Sequence, residues 1–95
     1  MLVTDEPGFY REGDYGIRTE NVLLVKELFK NAEGAFLGFD IVSFCPIDLR
    51  AVETSLLTKK EIDFLNGYHA CVYEALSPRL SEPERRWLEE ATRRI

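Results

Sequence analysis

Hydrophobic and polar positions alternate with a period of two in the N-terminal part of the chain and again from Ala35 to Cys45, then switch to a helical period after Thr58. Met1 to Asp5 and Ile17 to Val25 are short, β-branched and alternating, and Pro7-Gly8 and Gly13-Asp14 between them are turn punctuation. This predicts two strands folded back on each other as a ribbon. Within the second strand the alternation puts Arg18, Glu20 and Val22 on one face. Val22-Leu23-Leu24-Val25 is an unbroken apolar run, as expected of a strand covered on both sides. Leu28 to Gly34 reads as a connector, polar from Lys30 onward and closed by glycine. The next strand run, from Ala35, places Phe39, Ile41 and Ser43 on one face and Gly38, Asp40, Val42 and Phe44 on the other. Pro46 ends it, having no N–H to give a ladder.

Arg50 to Leu57 is only marginally patterned and reads as a linker. Thr58-Lys59-Lys60-Glu61 is a capping box, followed by a stripe of Ile62, Leu65, His69, Val72 and Leu76 with Phe64, Tyr68 and Ala75 beside it. One amphipathic helix to about Leu76 is predicted, and Ser77-Pro78 breaks it. Ser81-Glu82-Pro83-Glu84 is a second capping box with proline in the first turn, and Trp87, Leu88, Ala91 and Ile95 give the last helix its buried side. The mixed charges from Glu84 to Arg94 read as a solvated helix face. The fold class is α+β: a β-ribbon, then a small module of strand and two helices.

Composition adds boundaries to this outline. With 95 residues, 45% apolar and 31% charged, the chain is globular in character but has room for only a modest core. Acidic residues outnumber basic ones 17 to 12, which argues against a nucleic-acid surface, because phosphate recognition needs clustered Lys and Arg. No apolar run approaches the roughly 20 residues of a membrane span, and no basic stretch precedes an apolar one at the start. Cys45 and Cys71 show no metal-ligand or redox-motif spacing and read as buried free thiols rather than a disulfide. A soluble, cytoplasmic protein is expected.

The candidate chemistry lies in the ribbon. Glu6 and Glu20 stand on its two strands, and Arg18 precedes Glu20 by two residues on the same face. Hard or borderline divalent cations take oxygen ligands, and a two-metal site needs carboxylates held by rigid elements. An arginine beside one of them can hold its free oxygen and so orient it. By spacing alone the signal is weak, and the pair reads first as two exposed carboxylates on a hairpin, the usual state of Glu. His69, the only histidine, reads as a helix residue with its polar needs met, and Tyr68 and Trp87 as core or interface aromatics.

The residues around the pair sharpen the picture. Asp5-Glu6-Pro7-Gly8-Phe9-Tyr10, the Gly13 turn, Gly16-Ile17-Arg18 and Glu20-Asn21-Val22 together resemble the end of the catalytic domain of the aminopeptidase P family, metallopeptidases of the M24 group with the pita-bread fold. The resemblance continues through Phe36-Leu37-Gly38-Phe39-Asp40, Cys45-Pro46-Ile47-Asp48, Leu57-Thr58, Leu65-Asn66-Gly67-Tyr68-His69 and Trp87-Leu88, which look like the extra C-terminal domain of the long, three-domain members. It departs from the family pattern at Thr19, where an aliphatic residue is expected, and at Asp40, where Glu is expected.

The resemblance implies that residues 1–30 are the end of the catalytic domain and residues 31–95 the appended domain, with Met1 falling inside the former. It implies removal of the N-terminal residue preceding proline, at a centre of two divalent metal ions, commonly manganese. Glu6 and Glu20 map onto metal ligands, and Arg18 onto the arginine that supports them; the family's Asp and His ligands precede both motifs, so His69 cannot be one. No catalytic residue beyond these is assigned to the chain. Its 95 residues alone are expected to be inactive, and a homodimer contact is implied for the appended domain. The alternative reading is a purely structural, dimerising module.

Overall fold

The computed structural model describes residues 1–95, with all its strands ahead of Val42 and both α-helices after Thr58. Strands β1 (Leu2–Asp5), β4 (Asn21–Asn31) and β5 (Gly34–Ile41) form an antiparallel sheet with β4 in the middle. β2 (Gly8–Tyr10) and β3 (Gly16–Arg18) pair as a separate antiparallel ladder. The predicted two-stranded ribbon is thus four strands, and its cause is local. Pro7 has no N–H to donate, so the ladder lapses at Glu6-Pro7 on one side and Thr19-Glu20 on the other. Thr19 N–H still donates to the Pro7 carbonyl at 3.1 Å, and the pairing resumes in the same register beyond it.

The connector expected over Leu28 to Gly34 is instead mostly strand. β4 runs on to Asn31, and a tight turn at Ala32-Glu33, with Asn31 Oδ1 accepting the Glu33 N–H at 2.9 Å, leads straight into β5. A register shift between Glu27 and Phe29 inserts a bulge at Leu28, which resets the alternation of side chains and hides the strand from a period-two reading. Phe29 and Phe36 stack across this hairpin with ring centroids 4.6 Å apart. β5 in turn stops at Ile41, short of Cys45, because β4 begins only at Asn21. Val42 N–H makes the last rung to the Val22 carbonyl, and the Ser43 hydroxyl then accepts from Val22 N–H and donates to Asn21 Oδ1.

Two compact units result, Met1–Ser43 and Phe44–Ile95, so the division expected between residues 30 and 31 falls within the last hairpin of the first unit. No side chain of the first unit is fully buried. The apolar run expected to be covered on both sides is only half-buried at Val22, Leu23 and Val25, and Leu24 is exposed.

The core lies in the second unit, around α1 (Lys59–Leu76) and α2 (Glu82–Ala91). Both capping boxes form: Thr58 N–H donates to Glu61 Oε2 at 2.8 Å, and Ser81 N–H to Glu84 Oε2 at 2.8 Å. The stretch read as a linker holds two short 3-10 turns, Leu49–Ala51 and Thr54–Leu56, capped by the side chains of Asp48 and Glu53. Val72 and Leu88 are completely buried and Leu49 and Tyr68 nearly so. Trp87, expected on the buried side, is 64% exposed. One helical position covers about 100° of arc, so Leu88 and Trp87 cannot both face a core contacted along one stripe. Cys45 and Cys71 are free, as expected, but exposed rather than buried.

Polar contacts knit this unit along α1. The Asn66 amide pairs with both main-chain groups of Ile95, donating to its carbonyl at 3.1 Å and accepting its N–H at 3.0 Å. Tyr68 OH donates to the Cys45 carbonyl at 2.6 Å, and His69 Nε2 accepts the Ile47 N–H at 3.0 Å. His69 is 1% exposed, and its Nδ1 has no hydrogen-bond partner of ordinary geometry. It is therefore satisfied on one nitrogen only. Burial pushes its pKa down; the Arg93 main chain opposes the shift, and the Arg93 charge adds to it.

A histidine whose folded pKa lies below its unfolded value stabilises the fold fully above the unfolded value, about 6.5, and progressively less below it. Protonation would also take away the lone pair that receives Ile47 N–H. The second unit should therefore lose stability as the pH falls below about 6.5, in thermal melts followed by circular dichroism. His69→Gln should be less stable at neutral pH and lose this part of the pH dependence; an unchanged slope would assign the acid sensitivity elsewhere.

Candidate metal-ligand site

The candidate site is one face of the ribbon, and its geometry follows from register. β1 pairs with β4 through Asp5 and Asn21, and β2 with β3 through Gly8 and Arg18; the same register continues between them and sets Glu6 directly opposite Glu20. The Val25 N–H to Met1 carbonyl and Thr19 N–H to Pro7 carbonyl bonds identify the odd-numbered positions of the first strand as the hydrogen-bonded pairs. Glu6 and Glu20 therefore form a non-hydrogen-bonded pair, the kind whose Cα atoms approach to about 4.5 Å with side chains close together. Two carboxylates facing each other in this way repel unless a cation lies between or beside them.

Arg18 supplies part of that balance. Its Nε stands 3.1 Å from Glu20 Oε2, with both side chains partly exposed, and the Glu6 charge also acts on it. The Arg18 pKa is raised, first by a hydrogen bond with the Tyr10 side chain and then by the charge of Glu20. Alternation along the two strands puts Glu6, Gly8 and Tyr10 on the same face as Gly16, Arg18 and Glu20. The ring of Tyr10 folds back over both glycines. A Cβ on Gly8 would lie 2.7 Å from the Tyr10 hydroxyl oxygen, and one on Gly16 would lie 2.7 Å from the ring's Cδ1. Glycine at both positions is what lets the phenol lie against the backbone and reach Arg18.

The structure thus brings together all three residues singled out in the sequence, Glu6, Glu20 and Arg18, and adds Tyr10. The signal for Tyr10 was present in its even spacing from Glu6 and in the glycines on its face, but only the register shows that the two glycines flank one ring. Two opposed carboxylates on paired strands suit a hard divalent cation as part of its ligand shell. The chain holds no cluster of three or more His, Cys, Asp or Glu residues placed to bind a metal, so these two Glu fit as part of a donor set, not as a whole one.

The second unit has a separate concavity of about 540 Å3, lined by Cys45, Pro46, Leu49, Trp87 and Ala91 and by the Asp48–Arg50 ion pair. Hydrogen bonds from Arg50, side chain first and main chain second, hold the Asp48 carboxyl down at about 2. The exposed face of Trp87 belongs to this concavity.

Residues 35–95 match the family model described as the C-terminal region of peptidase M24. Along nearly its whole length the chain is also similar to curated proteins. It is 39% identical over 95 residues to aminopeptidase P1 of Arabidopsis thaliana, covering 97% of this chain and 15% of that protein. With human Xaa-Pro aminopeptidase 2 it shares 36% identity over 96 residues, covering 97% of this chain and 14% of that protein. Among solved structures it resembles the X-prolyl aminopeptidase of Caenorhabditis elegans, described as a cytosolic enzyme with a di-nuclear active site. That match has a TM-score of 0.81 and 39% identity, and covers 99% of this chain and 16% of the other. The chain therefore spans only about 15% of the length of the first of these relatives.

Proposed function

The chain belongs to the C-terminal region of the peptidase M24 family, and from that premise we propose that it is the C-terminal part of a metal-dependent Xaa-Pro aminopeptidase. The parent enzyme hydrolyses the bond between an N-terminal residue and a following proline. Residues 1–30 correspond in this reading to the end of the catalytic domain and residues 31–95 to the appended domain; a family match beginning at residue 35 supports the division. The observation that carries the reading is the facing pair Glu6 and Glu20 with Arg18 against Glu20.

Glu6 and Glu20 would hold two divalent ions, manganese by resemblance, together with ligands from the rest of the protein. Such a pair of ions supplies an activated water and polarises the scissile carbonyl. The part played by this chain is narrower. Paired strands fix the spacing of the two carboxylates, and Arg18 occupies one oxygen of Glu20, leaving the other oriented for a metal. The positive charge of Arg18 also lowers the cost of holding two carboxylates face to face.

Cytoplasmic location and a homodimer complete the proposal. No helix of the chain is long and apolar enough to cross a membrane, and a cytosolic relative supports the compartment. Exposed aromatics in the second unit, Phe44, Phe64 and Trp87, support a subunit contact of the kind aromatic side chains dominate.

The test uses a full-length protein carrying this segment, with the 95-residue chain alongside. With manganese(II) added, the full-length protein should release the N-terminal residue from a peptide with proline second, and the short chain should not. Light scattering on the same full-length preparation should give the mass of a dimer. Absence of turnover in well-folded, manganese-loaded full-length protein would refute the peptidase reading, and a monomer would refute the dimer.

A further inference from the structure

We propose that the concavity of the second unit binds the carboxyl-terminal residue of a peptide: Arg93 takes the terminal carboxylate, and Trp87, Leu49 and Ala91 take an apolar side chain.

The site is built at the C-terminal end of α2. Trp87, Glu90 and Ala91 are spaced three and four residues apart and share one face of that helix, and Arg93 follows just past its end. The other wall is Pro46 and the 3-10 turn that carries Leu49 and Arg50. Together they enclose about 540 Å3, within the range of roughly 300–1,000 Å3 typical of small-ligand sites. Phe44 and Phe64 lie outside it.

Arg93 is the group that recognises charge. Its Nη1 donates to the Glu90 main-chain carbonyl at 3.1 Å and lies 3.1 Å from Glu90 Oε1. Those contacts hold the guanidinium at the end of α2 and leave its Nε–Nη2 edge without a protein partner. That edge is the fork through which arginine takes a carboxylate with two parallel bonds. Arg50 shows the same fork already filled, since its Nε and Nη2 both donate to Asp48. Satisfying the last carbonyls of the helix uses Nη1 alone, so it does not account for the open edge.

The apolar part of the site has no internal use either. Trp87 is 64% exposed while Leu88 beside it is completely buried, so the indole is not spent on the core. Lining the same hollow as Leu49 and Ala91, it offers an apolar side chain a large surface to bury. The acids in the lining argue for a peptide over a free amino acid. Asp48 gives both oxygens to Arg50, and Glu90 is paired with Arg93, so neither is set aside for an ammonium group. A peptide brings a neutral amide to that position.

The probe is N-acetylalanylleucine, which has a blocked N-terminus and no proline and so is no substrate in the reading above. In calorimetric titration of metal-free full-length protein it should bind once per chain. Removing metal keeps its carboxylate from binding at Glu6 and Glu20 instead. Its C-terminal amide should bind at least about tenfold more weakly, as for loss of charge-assisted hydrogen bonds. Arg93→Gln should lose a similar factor for the acid. Arg50→Gln should lose less, because its fork is engaged by Asp48. Trp87→Ala should weaken acid and amide alike with its thermal midpoint unchanged.

Equal binding of the acid and its amide would overturn the inference, and so would full affinity in Arg93→Gln or Trp87→Ala, or no binding at millimolar probe. Free leucine binding as tightly as the acetylated dipeptide would refute the peptide as occupant. A dimer that becomes a monomer in light scattering of Trp87→Ala would assign the concavity to the subunit contact and refute the ligand.

Discussion

Replacing either Glu6 or Glu20 with alanine in the full-length protein should abolish turnover of a peptide with proline second and lower bound manganese in elemental analysis. Both effects follow from the facing pair. Each carboxylate brings oxygen donors and a negative charge to a divalent cation, and no neighbouring side chain in this chain can replace either. The fold itself should survive, because both residues sit at the exposed lapse in the ladder, Glu6 between β1 and β2 and Glu20 between β3 and β4, where neither supports a core. Removing one member of the pair even relieves the repulsion between opposed carboxylates. Arg18→Ala should be milder, with metal affinity or activity reduced roughly 10- to 100-fold, as for loss of a group that orients a ligand without being one. Full metal occupancy in both glutamate variants would make these carboxylates bystanders.

Leu88→Ala should destabilise the second unit by about 2–5 kcal/mol, the range for truncating a large buried aliphatic side chain. Leu88 is completely buried, and the cavity left behind adds to the lost transfer energy. Against a total stability of about 5–15 kcal/mol for a whole domain, the loss leaves much of the population unfolded under mild denaturant. Trp87→Ala is the informative comparison. Trp87 is adjacent in sequence and larger, yet 64% exposed, so its truncation should change stability by no more than about 0.5 kcal/mol. Chemical denaturation of the two variants side by side measures the difference. Equal losses would mean that Trp87 is packed in solution.

Much of this protein is legible in one dimension because it depends on neighbours in sequence. The capping boxes at Thr58 and Ser81 form because a hydroxyl and a carboxylate three residues apart satisfy the first free N–H groups of a helix, whatever the helix packs against. Proline at positions 7 and 78 interrupts a ladder and ends a helix for equally local reasons. The face shared by Arg18 and Glu20 follows from strand alternation alone. The Glu6 and Glu20 motifs were legible through the residue types around them.

The remaining features depend on partners distant in sequence. The stretch from Lys26 to Asn31 forms strand because β5 completes its backbone hydrogen bonds, and the bulge at Leu28 erases the alternation by which a strand is recognised. The choice of Leu88 over Trp87 for the core depends on which arc of α2 meets the rest of its unit, and a helical period fixes the width of that arc but not its direction. The exposure of Cys45 and Cys71 is likewise a property of packing. Glu6 faces Glu20, and Tyr10 reaches Arg18, because a single register carries through two ladders across an interruption at proline. Sequence supplied the groups, and register set them against one another, since in an antiparallel ribbon a shift of one residue would send each side chain to the opposite face.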